Sequence, residues 1–238
     1  MRANTLTMKK STEFNIGDLV LYKNNQLIAF NKPAGLAVQH DKTGDKSLFD
    51  LAEIYVKHPL NIIHRIDRPA TGVVLFAKTK RALTDLNEQF KNRQVTKTYF
   101  AVVGERPDAE QAELLHYLRK DARTNKTEVL NEPAPGAVEA RLRYRYYDSI
   151  ENYHLLKVEL ITGRHHQIRA QLAAIGCPIK GDVKYGFRRG NRDRSIHLHA
   201  RKLVFRHPVS GETEGIVAPA PDDPVWNAFN ISEPYLES

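Results

Sequence analysis

The segment HRIDRPATG, residues 64–72, sets one carboxylate, Asp67, between two guanidinium groups, Arg65 and Arg68. Apolar residues stand on both sides of it, with LNII before and VVLFA after. Partial removal from water favours the neutral form of a carboxyl group, whereas a nearby guanidinium favours the charged form. A charged, partly dehydrated carboxylate can act as a nucleophile or a general base. The same residues would also suit a structural role, in which Asp67 and a neighbouring arginine pair to staple a loop.

A second group of basic side chains stands where a predicted strand gives way to a predicted helix, in LITGRHHQIRAQL at residues 160–172. Free N–H groups at a helix N-terminus attract anions, and Arg164, His165 and His166 lie at that point. Arg169 follows about one turn into the helix, where its guanidinium could reach a carboxylate or a phosphate. Helix capping and packing would use the same residue types.

A third motif, TKTYFAVVG at residues 96–104, has the pattern of a strand that ends at glycine. Because side chains alternate across a strand, Lys97 and Tyr99 face one side while Thr98 and Phe100 face the other. A tyrosine that faces a cleft can stack on a nucleic-acid base. An isolated tyrosine in a strand is more often a core residue.

Four histidines raise the question of a metal site: His165, His166, His197 and His199. Adjacent residues of a helix point about 100° apart, so the first pair makes a poor metal site. His197 and His199 would share one face of a strand, but no cysteine or carboxylate partner stands at the spacing of a zinc site. The sequence therefore predicts no metal.

Hydrophobic periodicity around these motifs predicts many short strands and a few helices. The predicted strands are a hairpin within 20–35, then 73–79, 96–104, 139–150, 153–161, 196–208 and 215–219, and the predicted helices are 47–56, 80–94 and 165–176. We interpret residues 106–136 as a loose connecting segment and residues 1–14 as a disordered tail. Strands that pair with sequence neighbours indicate an α+β fold, in which a largely antiparallel mixed sheet is flanked by a few helices. We expect one domain over residues 15–238.

Composition indicates a polyanionic partner. The chain has 238 residues, 36 Lys plus Arg and 28 Asp plus Glu, for a formal net charge of +8. Between residues 180 and 206 the acids are Asp182 and Asp193, and the bases are Lys180, Lys184, Arg188, Arg189, Arg192, Arg194, Arg201, Lys202 and Arg206. Such a local excess of cations favours contact with nucleic acid.

Cysteine use and the N-terminal segment bear on the compartment. The chain has one cysteine, Cys177, so that no intrachain disulfide can form. Its first residues have no apolar run of the kind that secretory signals carry, and no stretch approaches the ~18 apolar residues of a membrane span. We expect a cytoplasmic protein with no membrane association.

Taken together and in order, these motifs resemble those of RNA pseudouridine synthases of the RluA type. The resemblance runs from about Val20 to Pro219, and it includes NKPAGLAV, HRIDRPATGVVLFAK, KTYFAVVG, LITGRHHQIRAQLAAIGCPIKGDVKYG and IHLHARKLVFRHP. Each motif alone is weakly specific, whereas five in the same order are highly specific. The resemblance implies that residues 15–238 form a pseudouridine synthase catalytic domain, which isomerises uridine in tRNA or rRNA without a cofactor. About 19 residues precede the first predicted strand, too few for the small N-terminal RNA-binding domain of many members.

The resemblance also assigns roles to residues. It implies that Asp67 is the catalytic aspartate, that Arg169 is its basic partner, and that Tyr99 stacks on the target uracil. Further contacts to the substrate are expected from Arg65, His64, Arg68, Arg164, His166 and Gln167. In the absence of a separate RNA-binding domain, the RNA backbone is expected to contact Arg188, Arg189, Arg192 and Arg194. We expect the enzyme to act as a monomer.

Two departures from the family pattern concern substrate fit. Ala70-Thr71, with Pro69 ahead of it, stands where the family usually has Thr-Ser before the glycine, and His165-His166 stands where it often has Thr-His. Two other functions are weighed against catalysis. One is an RNA-binding or assembly factor with the same fold and no activity. The other is a metal-dependent nuclease or phosphodiesterase built on the four histidines.

Overall fold

The computed structural model describes residues 15–41 and 44–231, and these residues form one mixed sheet flanked by helices. The sheet order is β1-β2-β4-β10-β5-β9-β8-β6-β7, with β3 added to β4 and β11 added to β10. Its strands are β1 Val20–Lys23, β2 Leu27–Lys32, β3 Asn61–Ile62, β4 Thr71–Ala77, β5 Thr96–Val103, β6 Gln111–Asp121, β7 Lys126–Leu130, β8 Val138–Ile150, β9 Tyr153–Leu160, β10 Leu198–Arg206 and β11 Thr213–Val217.

Every pairing between named strands is antiparallel except the one between β4 and β10. This parallel pair lies in the interior of the sheet, and β4 is buried along its whole length. The predicted α+β class with a largely antiparallel mixed sheet is confirmed. The predicted tail at 1–14 lies outside the described residues.

Four α-helices occur in the described part of the chain, and local capping explains where the longer two begin. They are α1 Leu48–Val56, α2 Lys80–Lys91, α3 Gln167–Ala174 and α4 Pro224–Asn227. Ser47 and Asp50 form a capping box at α1, and the Thr79 side chain accepts a hydrogen bond from the Ala82 N–H at α2. None of these helices is long and apolar enough to cross a bilayer.

The interpretation of residues 106–136 as a loose connection is wrong. This segment forms β6 and β7, which pair with each other across a turn in which the Asp121 carboxylate accepts the Arg123 N–H. β6 also pairs with β8 over eight residue positions. Exposed and partly buried residues alternate along most of β6, so its apolar side is weak and its strand structure depends on pairing with β7 and β8.

The helices pack on both faces of the sheet. On β2 and β4, alternate residues contact α2 on one side and α1 on the other. On β5, Tyr99 faces the cluster that includes α3, while Phe100 faces the cluster that includes α4. Leu203 packs with α2 and pairs with Lys97. Because Lys97 and Tyr99 share a face of β5, α2 and α3 lie on the same side of the sheet.

Candidate active site

The loop before α3 is held by the Gln167 side chain. Its amide oxygen accepts hydrogen bonds from the Thr162 hydroxyl (2.8 Å) and the Arg164 N–H (3.0 Å), and its amide nitrogen donates to the Arg141 carbonyl (3.0 Å). His166 precedes the helix in a left-handed conformation with φ of 52°. The helix therefore begins at Gln167, two residues later than the sequence pattern predicts.

Arg169 joins two carboxylates that are far apart in the sequence. Its Nη1 donates to Asp67 Oδ2 at 3.0 Å, while Nε and Nη2 donate to the two carboxylate oxygens of Asp182 at 2.6 and 2.9 Å. The guanidinium also lies over the Tyr185 ring, 5.0 Å from its centroid. Burial opposes the charge of Arg169, but Asp182 and Asp67 together raise its pKa above the ordinary value. Arg169 is thus a fixed cation beside Asp67.

The Asp67 carboxylate pairs with Arg169 rather than with an arginine next to it in the sequence, so a local Asp–Arg staple is the wrong interpretation of HRIDR. Its ion-pair partner, Arg169, stands 102 positions later. Arg65 is exposed and lines the cleft, and Arg68 turns to the carboxylates of Asp41 and Asp45. About a quarter of the Asp67 side chain is exposed, which leaves it open to a ligand.

Lys32 positions the backbone of the loop that carries Asp67. It is fully buried, and its ammonium donates hydrogen bonds to the carbonyls of Pro33, Leu36 and Arg68 at 2.9, 2.9 and 3.1 Å. The Gly35 N–H also donates to the Arg68 carbonyl. The turn after β2 is thereby tied to the residue that follows Asp67.

A cleft opens between the Asp67 loop and the start of α3. Its lining combines apolar side chains from several elements with cations and one carboxylate: Arg65, Ile66, Asp67, Ala70, Tyr99, Leu160, Gly163, Arg164, His166, Gln167, Ile168, Arg169 and Leu198. Burial and the Asp67 charge both raise the pKa of Tyr99, so that its phenol is neutral. A flat apolar ring beside a carboxylate and a guanidinium suits a planar polar ligand such as a nucleobase.

His166 contributes a neutral imidazole to this cleft. Burial lowers its pKa to about 3, against the opposing effect of Asp67, whose Oδ2 lies 3.9 Å from Nε2. The Tyr185 hydroxyl accepts the Thr127 N–H and lies 2.9 Å from His166 Nδ1, to which it can donate its own proton. We infer a tautomer with its hydrogen on Nε2, directed toward Asp67. The His165 ring stacks on His166 with centroids 3.8 Å apart.

Comparison with known proteins identifies the family. The family model described as RNA pseudouridylate synthase matches residues 26–174. The chain belongs to the RNA pseudouridylate synthase family. It is similar to the ribosomal large subunit pseudouridine synthase C of Yersinia pestis, with 32% identity over 86% of this chain and 66% of that protein. It is also similar to the protein of that name from Vibrio vulnificus (strain CMCP6), with 32% identity over 88% of this chain and 69% of that protein. This synthase therefore spans about two thirds of the length of these relatives.

A solved structure supports the same assignment. The human RNA pseudouridylate synthase domain containing 4 is 26% identical, has a TM-score of 0.72, and is matched over 87% of this chain and 90% of that one. Members of this family isomerise uridine to pseudouridine. The predicted family and the predicted isomerase class are confirmed.

His64 and Arg68, which the resemblance predicts to contact the substrate of this synthase, do not line the cleft. His64 Nε2 accepts the Leu75 N–H at 3.1 Å, and the ring stacks on Phe90. Burial lowers the pKa of His64 to about 4. Arg68 donates to the Gly35 carbonyl and forms its two ion pairs on the 41–45 loop. Both side chains thus contact the segments around Asp67 rather than the cleft, and their contact with the substrate stays a prediction.

The remaining predicted residues divide between the cleft and the surface. Arg65, Arg164, His166 and Gln167 line the cleft, and Arg164 also donates from Nε to the Glu139 carbonyl. A separate exposed basic segment contains four further arginines: Arg188, Arg189, Arg192 and Arg194. Over residues 15–41 and 44–231, none of these four forms a salt bridge.

The four histidines do not form one metal site in the described ranges, where no group of three metal-ligating side chains occurs. His199 Nδ1 contacts the Thr71 hydroxyl at 2.8 Å, and Nε2 contacts the Ala218 carbonyl at 3.1 Å. His197 stacks on Trp226. His165 contacts Thr127 instead, so the metal-dependent nuclease has no assembled ligand set here.

Sequence reasoning missed three residues of the site. Asp182 orients Arg169, Tyr185 contacts both Arg169 and His166, and Lys32 supports the Asp67 loop. All three stand within the quoted motifs, Lys32 in NKPAG and the other two in KGDVKYG. An acidic residue inside an otherwise basic segment was the available signal for Asp182.

Proposed function

We propose that this synthase isomerises uridines of ribosomal or transfer RNA, with Asp67 as the catalytic carboxylate, Arg169 as its charge partner and Tyr99 as the ring that stacks on uracil. One observation carries the proposal, namely the Arg169 guanidinium held by Asp182 and aimed at Asp67 inside a cleft. The ribosomal targets named for the relatives from Yersinia pestis and Vibrio vulnificus favour ribosomal RNA.

The chemistry matches what the cleft provides. Isomerisation breaks the N1–C1′ bond of uridine, turns the uracil and forms a bond from C5 to C1′, while a proton leaves C5 and N1 gains one. The molecular formula is unchanged, so the reaction consumes no water and needs no electron acceptor. An ionised Asp67 can act on the sugar or the base as a nucleophile, or begin the removal of a proton. Arg169 supports each of these roles because it stabilises the negative charge.

Access to the cleft requires the uridine to leave its stack in the RNA. Arg65 is exposed at the cleft and two residues from Asp67, and its guanidinium can occupy the vacated space or hold a phosphate. Tyr99 offers the flipped base a neutral aromatic ring. A factor that only bound RNA would gain nothing from a carboxylate that faces a polyanion, which favours catalysis over the assembly-factor alternative.

We further infer that the enzyme acts in the cytoplasm, as a monomer and without a metal ion. Its cysteine, Cys177, is buried and cannot form an intrachain disulfide, which suits a reducing compartment. Light scattering of the purified protein tests its oligomeric state. Turnover after treatment with a chelator, with and without added Mg²⁺, tests the metal requirement.

Asp67→Asn tests the catalytic proposal. The amide keeps the shape of the carboxylate and removes its charge, so we expect turnover to fall by roughly 10³-fold or more while the melting temperature stays close to that of the wild type. Pseudouridine mapping of ribosomal and transfer RNA, from cells with no gene, the wild-type gene or this variant, gives both the activity and the target. Asp222→Asn, an exposed aspartate, is the matched control. Normal pseudouridine levels in cells carrying Asp67→Asn would remove Asp67 from its assigned role.

A further inference from the structure

Lys97 is a partly buried cation with no acceptor assigned to it. It lies on β5 two residues before Tyr99 and on the same face. Across the described ranges, no carboxylate or carbonyl accepts a hydrogen bond from its ammonium. The groups around it include the Phe90 ring, whose centroid is 5.9 Å away, the like charge of Arg93, and His64. An ammonium withdrawn from water without a partner is costly, so its position needs a reason.

The ammonium lies beside the cleft at a point where the wall has no side chain. Gly163 lines the cleft and is exposed. A β-carbon built on Gly163 would stand 3.7 Å from Lys97 Nζ. Any longer side chain at this position would extend over the ammonium, whereas glycine leaves it within reach of a ligand in the cleft.

The charges around this end of the cleft are mostly positive. Arg65 and Arg164 line it, and Arg93 follows α2. His64 is half-buried and neutral, because removal from water and the charge of Lys97 lower its pKa to about 4. Glu139 is a nearby carboxylate, but Arg141 already occupies it at 3.0 Å and Arg93 lies 3.9 Å from it. An anion is therefore the ligand that this end of the cleft lacks.

We propose that Lys97, together with Arg65 and Arg164, forms a subsite for a phosphate group of the nucleotide whose base lies in the cleft. The inference rests on the proposed function, since uridine in RNA carries a phosphate on each side. A phosphate oxygen is a strong acceptor for an ammonium group, and binding it would offset the cost of burying Lys97. Burial and then Arg93 lower the pKa of Lys97 to about 8, so the group is mostly charged near pH 7 and loses its proton more readily than an exposed lysine.

Binding of small ligands separates this subsite from turnover. The probes are uridine and uridine 3′,5′-bisphosphate, whose affinities are measured by NMR titration at low ionic strength. We expect the wild type to prefer the bisphosphate, and Lys97→Met to lose about tenfold of that preference while it binds uridine as before. Methionine keeps the packing of the stem on Phe90. Lys80→Met is the control: it removes one positive charge at the exposed start of α2. This variant should keep the preference for the bisphosphate.

The pH dependence of binding, measured for the wild type and Lys97→Arg, provides a second test. It remains available even if Lys97→Met proves too unstable to measure. The phosphates stay ionised above about pH 7, whereas Lys97 loses its proton as the pH rises through about 8. The wild-type preference for the bisphosphate should therefore fall between about pH 7 and pH 9.5. Lys97→Arg should keep the preference and show a flatter profile, because arginine stays charged. Arg93 and His64 interact electrostatically with Lys97, and Tyr99 shares its face of β5. The other charged groups around this end of the cleft include Arg65, Asp67 and Arg164 in its lining and Glu139, which pairs with Arg141.

The outcomes are distinct. An equal loss of affinity for uridine and its bisphosphate in Lys97→Met would indicate a packing role and overturn the subsite. A wild type with no preference for the bisphosphate would overturn it as well. Either result leaves the proposed function intact if the enzyme still converts uridine in RNA. Conversely, a preference that depends on Lys97 in a protein without turnover would support the subsite and reject the catalysis.

Discussion

At the scale of the residue, Asp182 explains how Arg169 can serve Asp67. The Asp182 carboxylate is almost fully buried and takes two of the guanidinium N–H groups, which leaves Nη1 for Asp67. A bidentate pair fixes the plane of the guanidinium as well as its position. Asp67 therefore meets a cation that does not have to reorganise during the reaction.

Arg169→Met should lower both the free energy of unfolding and the turnover number, for different reasons. A second substitution can separate the two effects. The single variant leaves the Asp182 carboxylate buried without a cation, and we expect a loss of about 3–5 kcal/mol in the free energy of unfolding. Adding Asp182→Asn removes that charge and should recover part of the stability, as chemical denaturation will show. Turnover should stay low in both variants, because Asp67 lacks its partner in each.

The turnover of the double variant completes this test. Asp67 keeps its carboxylate there but lacks the guanidinium that stands 3.0 Å away in the wild type. Turnover should therefore stay well below that of Asp182→Asn alone, which retains the guanidinium and is the control. Near-normal turnover in the double variant would contradict the pairing.

At the scale of the element, Lys32 makes the turn after β2 and the Asp67 loop into one unit. These two segments are more than 30 positions apart, yet both direct carbonyl groups at one buried ammonium. Arg68 adds a second connection through the Gly35 carbonyl, at 2.7 Å. The position of Asp67 thus depends on a loop that itself takes no part in the lining of the cleft.

We expect Lys32→Met to lower the free energy of unfolding by on the order of 3 kcal/mol, because three carbonyl groups each lose a hydrogen bond from the buried ammonium. The turnover number should fall too, since the Arg68 backbone adjoins Asp67. Lys78→Met is the control, because Lys78 also donates to a carbonyl, that of Asn24, but at the other end of β4. Thermal denaturation and steady-state kinetics measure the two effects. A Lys32→Met enzyme of normal turnover would show that the loop keeps its place without this ammonium.

At the scale of the whole molecule, the protein carries more positive charge than negative, and part of the excess is exposed. Arg188, Arg189, Arg192 and Arg194 lie in the segment between the short turn at Val183–Tyr185 and β10. Asp182, which immediately precedes that turn, is bound to Arg169. The segment therefore starts at the active site and continues over the surface as a basic stretch, which suits contact with an RNA backbone.

Replacing these four arginines with glutamine should weaken binding to RNA of any sequence. Each lost phosphate contact should reduce the slope of the log–log salt dependence by roughly 0.7–0.9, because fewer counterions are released. Turnover at saturating RNA should persist, since these residues do not line the cleft. The control replaces Lys23, Lys80, Arg81 and Lys91, which are exposed elsewhere, with the same loss of charge. Equal salt slopes for the first variant and the wild type would place the RNA path on another surface.

The sequence by itself determined the chemistry and the local elements. Asp67, Tyr99 and Arg169 stand in motifs whose residue types and order indicate the family. The hairpin of β1 and β2, and the starts of α1 and α2, depend on turn and capping residues close in sequence, which is why they could be predicted. β6 could not, because its alternation is weak and its partner β8 stands about twenty residues later.

Only the tertiary structure decided which side chains of these motifs meet the cleft. His64 and Asp67 are three positions apart, yet one is engaged by Leu75 and Phe90 while the other faces Arg169. The physical reason is that an ion pair or a buried hydrogen bond depends on distances in space, and those are set by how the sheet brings distant segments together. Asp182 and Lys32 were invisible as site residues for the same reason, since their partners come from other elements.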